Sequence, residues 1–146
     1  MKRKLFSILS LILVLACVFV IPASAIEEGP EEPVDPDEPY VDIATFSVGC
    51  TINGSGLATC SSSVLTAHSN YTVYLTVSLQ RYNSNSGYWQ QYVGPWYSSG
   101  VRFASVYQQY YVPHGYYYRT AAAATVYDSN GNYVESATIY SANRYY

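Results

Sequence analysis

The chain has 146 residues, of which 16% are aromatic and 12% are charged, and its formal net charge is −3. This length suits a single domain of ordinary size. The scarcity of basic residues argues against a nucleic-acid partner, because proteins that bind nucleic acid present clustered lysine and arginine to the phosphates.

The first 25 residues match a secretory signal peptide. Residues 2–4 are basic, residues 5–21 form an apolar run, and residues 23–25 are Ala-Ser-Ala, the small-residue pattern of a cleavage site. A single transmembrane helix is the rival interpretation, but a span usually needs about 20 apolar residues. We therefore predict cleavage after residue 25 and a secreted protein, either free or loosely associated with the cell wall, with no membrane contact.

Residues 26–39 form an acidic segment that contains four prolines. Seven of the ten carboxylates of the chain lie between Glu27 and Glu38, so the domain from Tyr40 onward keeps four arginines and three carboxylates. Like charges and little apolar surface predict a disordered, extended spacer. A functional alternative is an acidic tail that binds a cation or a basic partner in the cell wall.

Alternation of apolar and polar residues begins at Phe46 and predicts a first hairpin around a loop at residues 53–57. In the register that this loop allows, Phe46 lies opposite Val64 and Cys50 lies opposite Cys60. The Cβ atoms of directly opposed residues are roughly 4.5–5.5 Å apart, so a small adjustment closes a disulfide. Because exported chains meet an oxidising environment, we predict a disulfide between Cys50 and Cys60, with two buried thiols as the alternative.

The clearest strand covers residues 70–82, where an aliphatic residue stands at every second position from Val73 to Leu79. Residues 88–97 continue the pattern and place Trp89 in the core. Pro95 predicts that this run is an edge strand or a bulged one, because proline cannot donate to a ladder. A weaker strand precedes the last hairpin.

Residues 112–141 predict that last hairpin, because two strand-forming runs flank Asn130 and Gly131, a pair that favours a two-residue type I′ turn. Ala122 and Ala124 then lie on a small apolar face, which a second sheet can approach closely. The opposite face carries the aromatic and cationic residues of the hairpin, which are Tyr117, Arg119, Tyr127 and Tyr140.

Seven short strands, regular turn signals and no segment of helical period predict an all-β fold. The pattern is typical of an antiparallel immunoglobulin-like β-sandwich of about seven strands, here over residues 40–146. The run V-x-x-G-x-x-Y-R, from Val112 to Arg119, resembles the corner that enters the penultimate strand of fibronectin-type and immunoglobulin-like domains. This resemblance implies that the Tyr118 ring is buried and that its hydroxyl bonds back to the loop; Tyr117 is the alternative if the register slips by one.

The order of parts also resembles a group of small, uncharacterised secreted proteins of Gram-positive bacteria. The parts are the signal peptide, the acidic Pro-rich spacer, the Cys-bearing hairpin, the L-Q-R-Y-N-S-N-S-G-Y-W hairpin at residues 79–89, and the last hairpin with its motifs G-Y-Y-Y-R, D-S-N-G-N and E-S-A-T. The resemblance covers the mature domain and implies a fold. It implies no activity and assigns no functional residue.

The domain carries few groups suited to catalysis. His68 and His114 lie in loop-like sequence, and the carboxylates are Asp42, Asp128 and Glu135. Asp128 adjoins a tight turn, where it would bond local backbone N–H groups, and Glu135 lies near the end of the sheet, half exposed. The sequence contains no phosphate loop, calcium loop or Cys/His metal spacing, so we predict neither an enzyme nor a cofactor or metal.

All eighteen tyrosines lie at or after Tyr40. A domain of this size cannot bury them all, so several rings lie at the surface, where an apolar face with a polar tip favours recognition. The structural alternative is that tyrosine simply suits strands with a half-wet face. We hypothesise a non-enzymatic module that binds cell-wall glycan or an extracellular protein through the outward face of the last hairpin. A secreted antibacterial or toxin-like protein that acts on competitors' envelopes is the alternative.

Overall fold

The computed structural model describes residues 29–32 and 40–146, and every regular element in these residues is a β-strand. The predicted signal peptide lies outside the described residues, as does most of the predicted spacer. In chain order the strands are β1 (Ile43–Ile52), β2 (Leu57–Thr66), β3 (Thr72–Asn83), β4 (Tyr88–Val101), β5 (Phe103–Tyr111), β6 (Tyr117–Tyr127), β7 (Tyr133–Tyr140) and β8 (Arg144–Tyr145).

The strands form two antiparallel sheets. The smaller sheet has the order β1-β2-β5, and the larger sheet has the order β4-β3-β6-β7, with the short β8 paired to the start of β6. This arrangement confirms the predicted immunoglobulin-like β-sandwich of about seven strands. The prediction did not include β8.

Alternation along β3 and β6 places one side of the larger sheet in the core. Every second residue from Val73 to Leu79 is at most 1% exposed. Ala122 and Ala124 are equally buried and pack in one cluster with Val64 of the smaller sheet. Their small side chains let the two sheets approach each other, as the sequence predicts.

The predicted register of the first hairpin is confirmed, and that of the last hairpin is confirmed from Ala121 to Val126 but shifts by one residue at Tyr127. Cys50 lies opposite Cys60 in the first hairpin, and Ala124 lies opposite Ala137 in the last. The prediction for Pro95 is also confirmed, because β4 lies at the edge of the larger sheet and its pairing with β3 shifts twice around Leu79.

The turn between β6 and β7 is not the predicted two-residue type I′ turn. Gly131 N donates to Asp128 O, and Asp128 N donates to Asn132 O. Gly131 has a positive φ of 83°, whereas Asn130 does not. This pattern matches a type I turn followed by a glycine bulge. The cause is the Asp128 carboxylate, which accepts hydrogen bonds from the backbone N of Asn130 and Asn132 at 2.8 and 2.9 Å and so stabilises the longer turn.

Tyr118 forms the predicted tyrosine corner. Its ring is fully buried, and its hydroxyl donates to the backbone carbonyl of Pro113 at 2.9 Å. Burial raises the pKa of Tyr118 to about 12. The core position therefore belongs to Tyr118, and Tyr117 lies on the opposite side of β6.

Polar contacts tie β1 to the larger sheet. The carboxylate of Glu135, half-buried on β7, accepts hydrogen bonds from the backbone N–H groups of residues 41–43 at 3.0–3.1 Å. Further along β1, the Thr120 hydroxyl donates to Gly49 O at 3.0 Å. Because these bonds cross from one sheet to the other, β1 does not depend on β2 alone.

Candidate functional site

The candidate site is the outer face, by which we mean the side of β3, β4, β6 and β7 that points away from the smaller sheet. Half-buried and buried residues alternate along β6, so Tyr117, Arg119 and Tyr127 all point outward. Tyr140 of β7 joins them with 38% of its surface exposed. The structure thus places all four residues of the predicted binding face on the outer face.

These four residues do not form one cluster. Tyr117 and Tyr127 stand at opposite ends of β6, which at the rise of a β-strand corresponds to roughly 33 Å. Arg119 and Tyr140 lie near the Tyr117 end. The sequence predicts only which side of the sheet these residues occupy. The structure shows that they lie at two separate positions along that side.

Arg119 is stacked between two aromatic rings. Its guanidinium carbon lies 4.3 Å from the centroid of the Trp89 ring and 4.0 Å from that of Tyr140. Its Nε donates to Oε1 of Gln80 at 2.8 Å, and burial lowers the pKa of Arg119. We call this row the aromatic ladder (Trp89, Arg119 and Tyr140). Since each cation–π contact contributes about 0.5–2 kcal/mol, the side chains hold one another in place.

Trp89 was predicted in the core, and this prediction is wrong. It is half-buried on the outer face, opposite Tyr82 in the register and 5.4 Å from that ring. The other tryptophan, Trp96, lies opposite Val77 and packs against two groups of buried residues, one that contains Val77 and one that contains Leu79. Trp96 therefore packs between the sheets, whereas Trp89 lies on the outer face and stacks on Arg119.

Tyr127 borders a separate cleft at the other end of the outer face. Its ring meets Tyr74 edge-on, with 5.6 Å between centroids, and Tyr133 at 6.2 Å. The cleft has a volume of about 700 Å³ and also contacts Asn70 and Asp128. Hydrogen bonds from Asn132 lower the pKa of Asp128, so this rim carries a carboxylate. Aromatic rings beside amide and carboxylate groups can bind a polar ligand.

Arg81 is a second stacked arginine, which was not among the residues predicted from the sequence. Its guanidinium carbon lies 4.8 Å from the centroid of Tyr92 and 4.5 Å from that of Tyr116. In the register of β3 with β6 it lies opposite Tyr118, so it covers the end of the core. An arginine at an inward position of an apolar strand was the signal that could have found it.

Cys50 and Cys60 are buried opposite each other as two free thiols. The hydrogen bond from Asn53 N to Leu57 O closes the hairpin, and hydrogen-bonded and non-hydrogen-bonded pairs alternate from there. The cysteines thus occupy a non-hydrogen-bonded pair, where Cα atoms are about 4.5 Å apart, within the range of a disulfide. A hydrogen bond with Cys60 lowers the pKa of Cys50 to about 7, and the same bond raises the pKa of Cys60. The predicted disulfide itself stays a prediction.

The histidines and carboxylates of residues 40–146 make separate contacts. His68 Nε2 lies 3.3 Å from Asp42 Oδ1, while the His114 ring stacks on Tyr146 with 3.7 Å between centroids. Asp128 and Glu135 accept backbone hydrogen bonds, which for Asp128 confirms the predicted role. Within residues 29–32 and 40–146, no group of three or more His, Cys, Asp or Glu side chains could hold a metal ion.

In the part of the chain that the structure describes, no helix is long and apolar enough to cross a membrane. Comparisons of the chain with protein-family models and with curated proteins find no match. The outer face is therefore the feature from which we infer a function.

Proposed function

We propose that the protein is a secreted, non-enzymatic β-sandwich module that binds cell-wall glycan or an extracellular protein through its outer face. The observation that carries this proposal is the aromatic ladder, in which Arg119 lies 4.3 and 4.0 Å from two ring centroids at the protein surface. Aromatic residues grouped on one exposed face mark interaction sites, whereas single exposed rings are ordinary.

The chemistry of the ladder suits a sugar or a polar protein surface. The C–H groups of a sugar pack on an aromatic ring, and its hydroxyls or carboxylates accept hydrogen bonds from a guanidinium. Among the described residues Arg119 donates one hydrogen bond, from its Nε to Gln80, so the other N–H groups of the guanidinium have no protein acceptor there. Because Trp89, Arg119 and Tyr140 already hold one another, a ligand does not have to order them, which lowers the entropic cost of binding.

Replacing Tyr140 by serine should weaken binding to isolated cell walls by about tenfold or more, equivalent to about 1.4 kcal/mol. The substitution removes one of the two rings that hold Arg119. Co-sedimentation of the purified protein with walls of the producing organism measures the loss. Tyr107→Ser is the matched control, because Tyr107 is a 64% exposed tyrosine on the smaller sheet.

Two further variants locate the ligand along the outer face. Loss of binding in Tyr117→Ser places the ligand at the ladder end, and loss in Tyr127→Ser places it in the cleft beside Asp128. Binding that is unchanged in all three outer-face variants, each folded, would contradict the proposal. A glycan array and a pull-down of wall proteins, run in parallel, distinguish the two classes of ligand.

We also propose that the secreted protein contains a disulfide between Cys50 and Cys60. Closing a loop of about ten residues stabilises the fold by roughly 2–3 kcal/mol in the chain-entropy model. Mass spectrometry of protein from the culture supernatant of its host detects the bond, and a reducing agent should then lower the melting temperature. Free thiols in that protein, together with a melting temperature that does not respond to reductant, would contradict the disulfide and support the alternative of two buried thiols.

A further inference from the structure

Residues 29–32, Gly-Pro-Glu-Glu, lie against one end of the larger sheet, although composition assigns them to a free spacer. The space around them is lined by five aromatic residues, which are Tyr82, Trp89, Tyr116, Tyr117 and Tyr145. We call this region the peptide cleft. It adjoins the aromatic ladder, because Trp89 belongs to both.

Asn143 holds the segment through three hydrogen bonds. Its side-chain Nδ2 donates to Pro30 O at 2.9 Å and to Glu31 O at 3.0 Å, and its backbone N donates to Oε2 of Glu32 at 2.9 Å. Asn143 is only 8% exposed, and its Oδ1 is buried without a hydrogen-bond partner among the described residues. The unsatisfied Oδ1 of this buried amide lowers the stability of the fold. Stabilisation of the domain therefore does not explain why Asn143 is buried here, whereas binding of the peptide does.

The contact with Tyr117 restricts the size of the residue at position 29. A Cβ atom placed on Gly29 would lie 2.6 Å from Cζ and Oη of Tyr117, so a larger residue in this position would have to displace the ring. Pro30 follows, and proline fixes its own φ and favours an extended residue before it. The carbonyl groups of Pro30 and Glu31 then accept hydrogen bonds from Asn143 Nδ2.

We propose that the peptide cleft is a recognition site for an acidic, proline-containing peptide, and that residues 29–32 are its tethered occupant. The two bonds from one Nδ2 to successive carbonyls fix the backbone at Pro30 and Glu31, and the bond to the Glu32 carboxylate requires an acid at that position. This inference concerns a peptide ligand and does not depend on whether the outer face binds glycan. A ligand that uses Tyr117 has to displace the segment first.

The tether makes a weak contact effective. Seven residues, 33–39, connect the segment to the domain, and a short linker of this kind holds a ligand at an effective concentration on the order of millimolar. A few hydrogen bonds can therefore keep the cleft filled within one molecule. The same peptide added as a separate molecule must compete with the tethered copy.

The test uses nuclear magnetic resonance on the mature chain, residues 26–146, in three forms: wild type, Glu32→Ala and Glu38→Ala. Glu32→Ala removes the acceptor of the Asn143 N–H, so exchange of that proton with solvent should accelerate roughly tenfold. The indole signal of Trp89 should shift as well, while that of Trp96, which packs in the core, stays as an internal reference. Glu38→Ala removes the same charge from the acidic stretch of residues 26–39 but lies outside residues 29–32, so it should leave both signals unchanged.

A second arm adds a synthetic peptide of residues 26–39 at millimolar concentration. It should shift the Asn143 and Trp89 signals of the Glu32→Ala protein and have little effect on the wild type, whose cleft is already filled. A peptide that itself carries the Glu32→Ala change should fail. Identical Asn143 and Trp89 signals in wild type and Glu32→Ala would overturn the proposal. Equal effects of Glu32→Ala and Glu38→Ala would also overturn it, because general charge would then hold the segment.

Discussion

Replacing Tyr118 by alanine should lower the free energy of unfolding by about 3–5 kcal/mol, because it removes a fully buried ring and leaves a cavity between the sheets. The ring packs in one cluster with Leu79 and Cys60 and meets Tyr92 with 5.9 Å between centroids. Urea unfolding measures the effect, since the midpoint shifts while the slope stays that of the same fold.

Two companion variants separate the parts of this contact. Tyr118→Phe keeps the ring and removes only the hydrogen bond to Pro113 O, so it should cost about 1 kcal/mol. Tyr117→Ser changes an outward side chain of the same strand and should cost less than about 1 kcal/mol. An unfolded Tyr117→Ser protein beside a stable Tyr118→Ala protein would mean that the two faces of β6 are reversed.

Alkaline pH tests the Tyr118 environment independently. Burial raises its pKa from 10.0 to about 12, so the unfolded chain loses this proton at a lower pH than the folded protein does. The stabilisation that Tyr118 contributes is therefore complete below pH 10 and falls as the pH rises towards 12. Wild type should lose more stability than Tyr118→Phe across that range.

Strand positions and hairpin registers were predictable because they depend on local features. The alternation of apolar and polar residues along a strand indicates which side of the sheet each side chain occupies. A slip of one residue in the pairing would expose the whole core face. Cys50 therefore meets Cys60, and Ala124 meets Ala137, as the sequence predicts. The tyrosine corner follows for the same reason, because Tyr118 has inward parity and a loop directly before it.

The aromatic ladder was not predictable, because its members come from three strands. Parity places Arg119 on the outer face, but it does not state that Trp89 of β4 and Tyr140 of β7 reach the guanidinium from either side. The two register shifts in β4 also make the direction of Trp89 uncertain from sequence alone. At the last turn, the Asp128 carboxylate outweighed the preference of Asn130 and Gly131 for a tighter turn.

The contact of residues 29–32 with the domain was not predictable for a different reason. Composition reports that the segment has little apolar surface, and this predicts disorder. Asn143 bonds mainly to main-chain carbonyl groups, which every residue possesses and which leave no pattern in the sequence. Only the Glu32 carboxylate adds a side chain to this recognition.

Replacing Glu135 by alanine should cost about 3 kcal/mol, the second large effect that we expect on stability. The carboxylate accepts hydrogen bonds from the N–H groups of three successive residues at the start of β1. Two of these bonds, to Asp42 and Ile43, are part-buried, and each N–H left without an acceptor costs about 1–3 kcal/mol. Val41 is 82% exposed, so water can replace the acceptor there at little cost.

The loss should appear first as detachment of β1 from β7, because Glu135 is the side chain that joins the start of β1 to the larger sheet. Hydrogen exchange at residues 42 and 43 should accelerate more than exchange in β3, which lies in the middle of the larger sheet. Glu135→Gln keeps one acceptor oxygen and should recover about half of the stability. Ser136→Ala is the control on the outer face. If Glu135→Ala unfolds at the same urea concentration as Ser136→Ala, the carboxylate does not secure β1, and the packing of Ile43 in the core must do so instead.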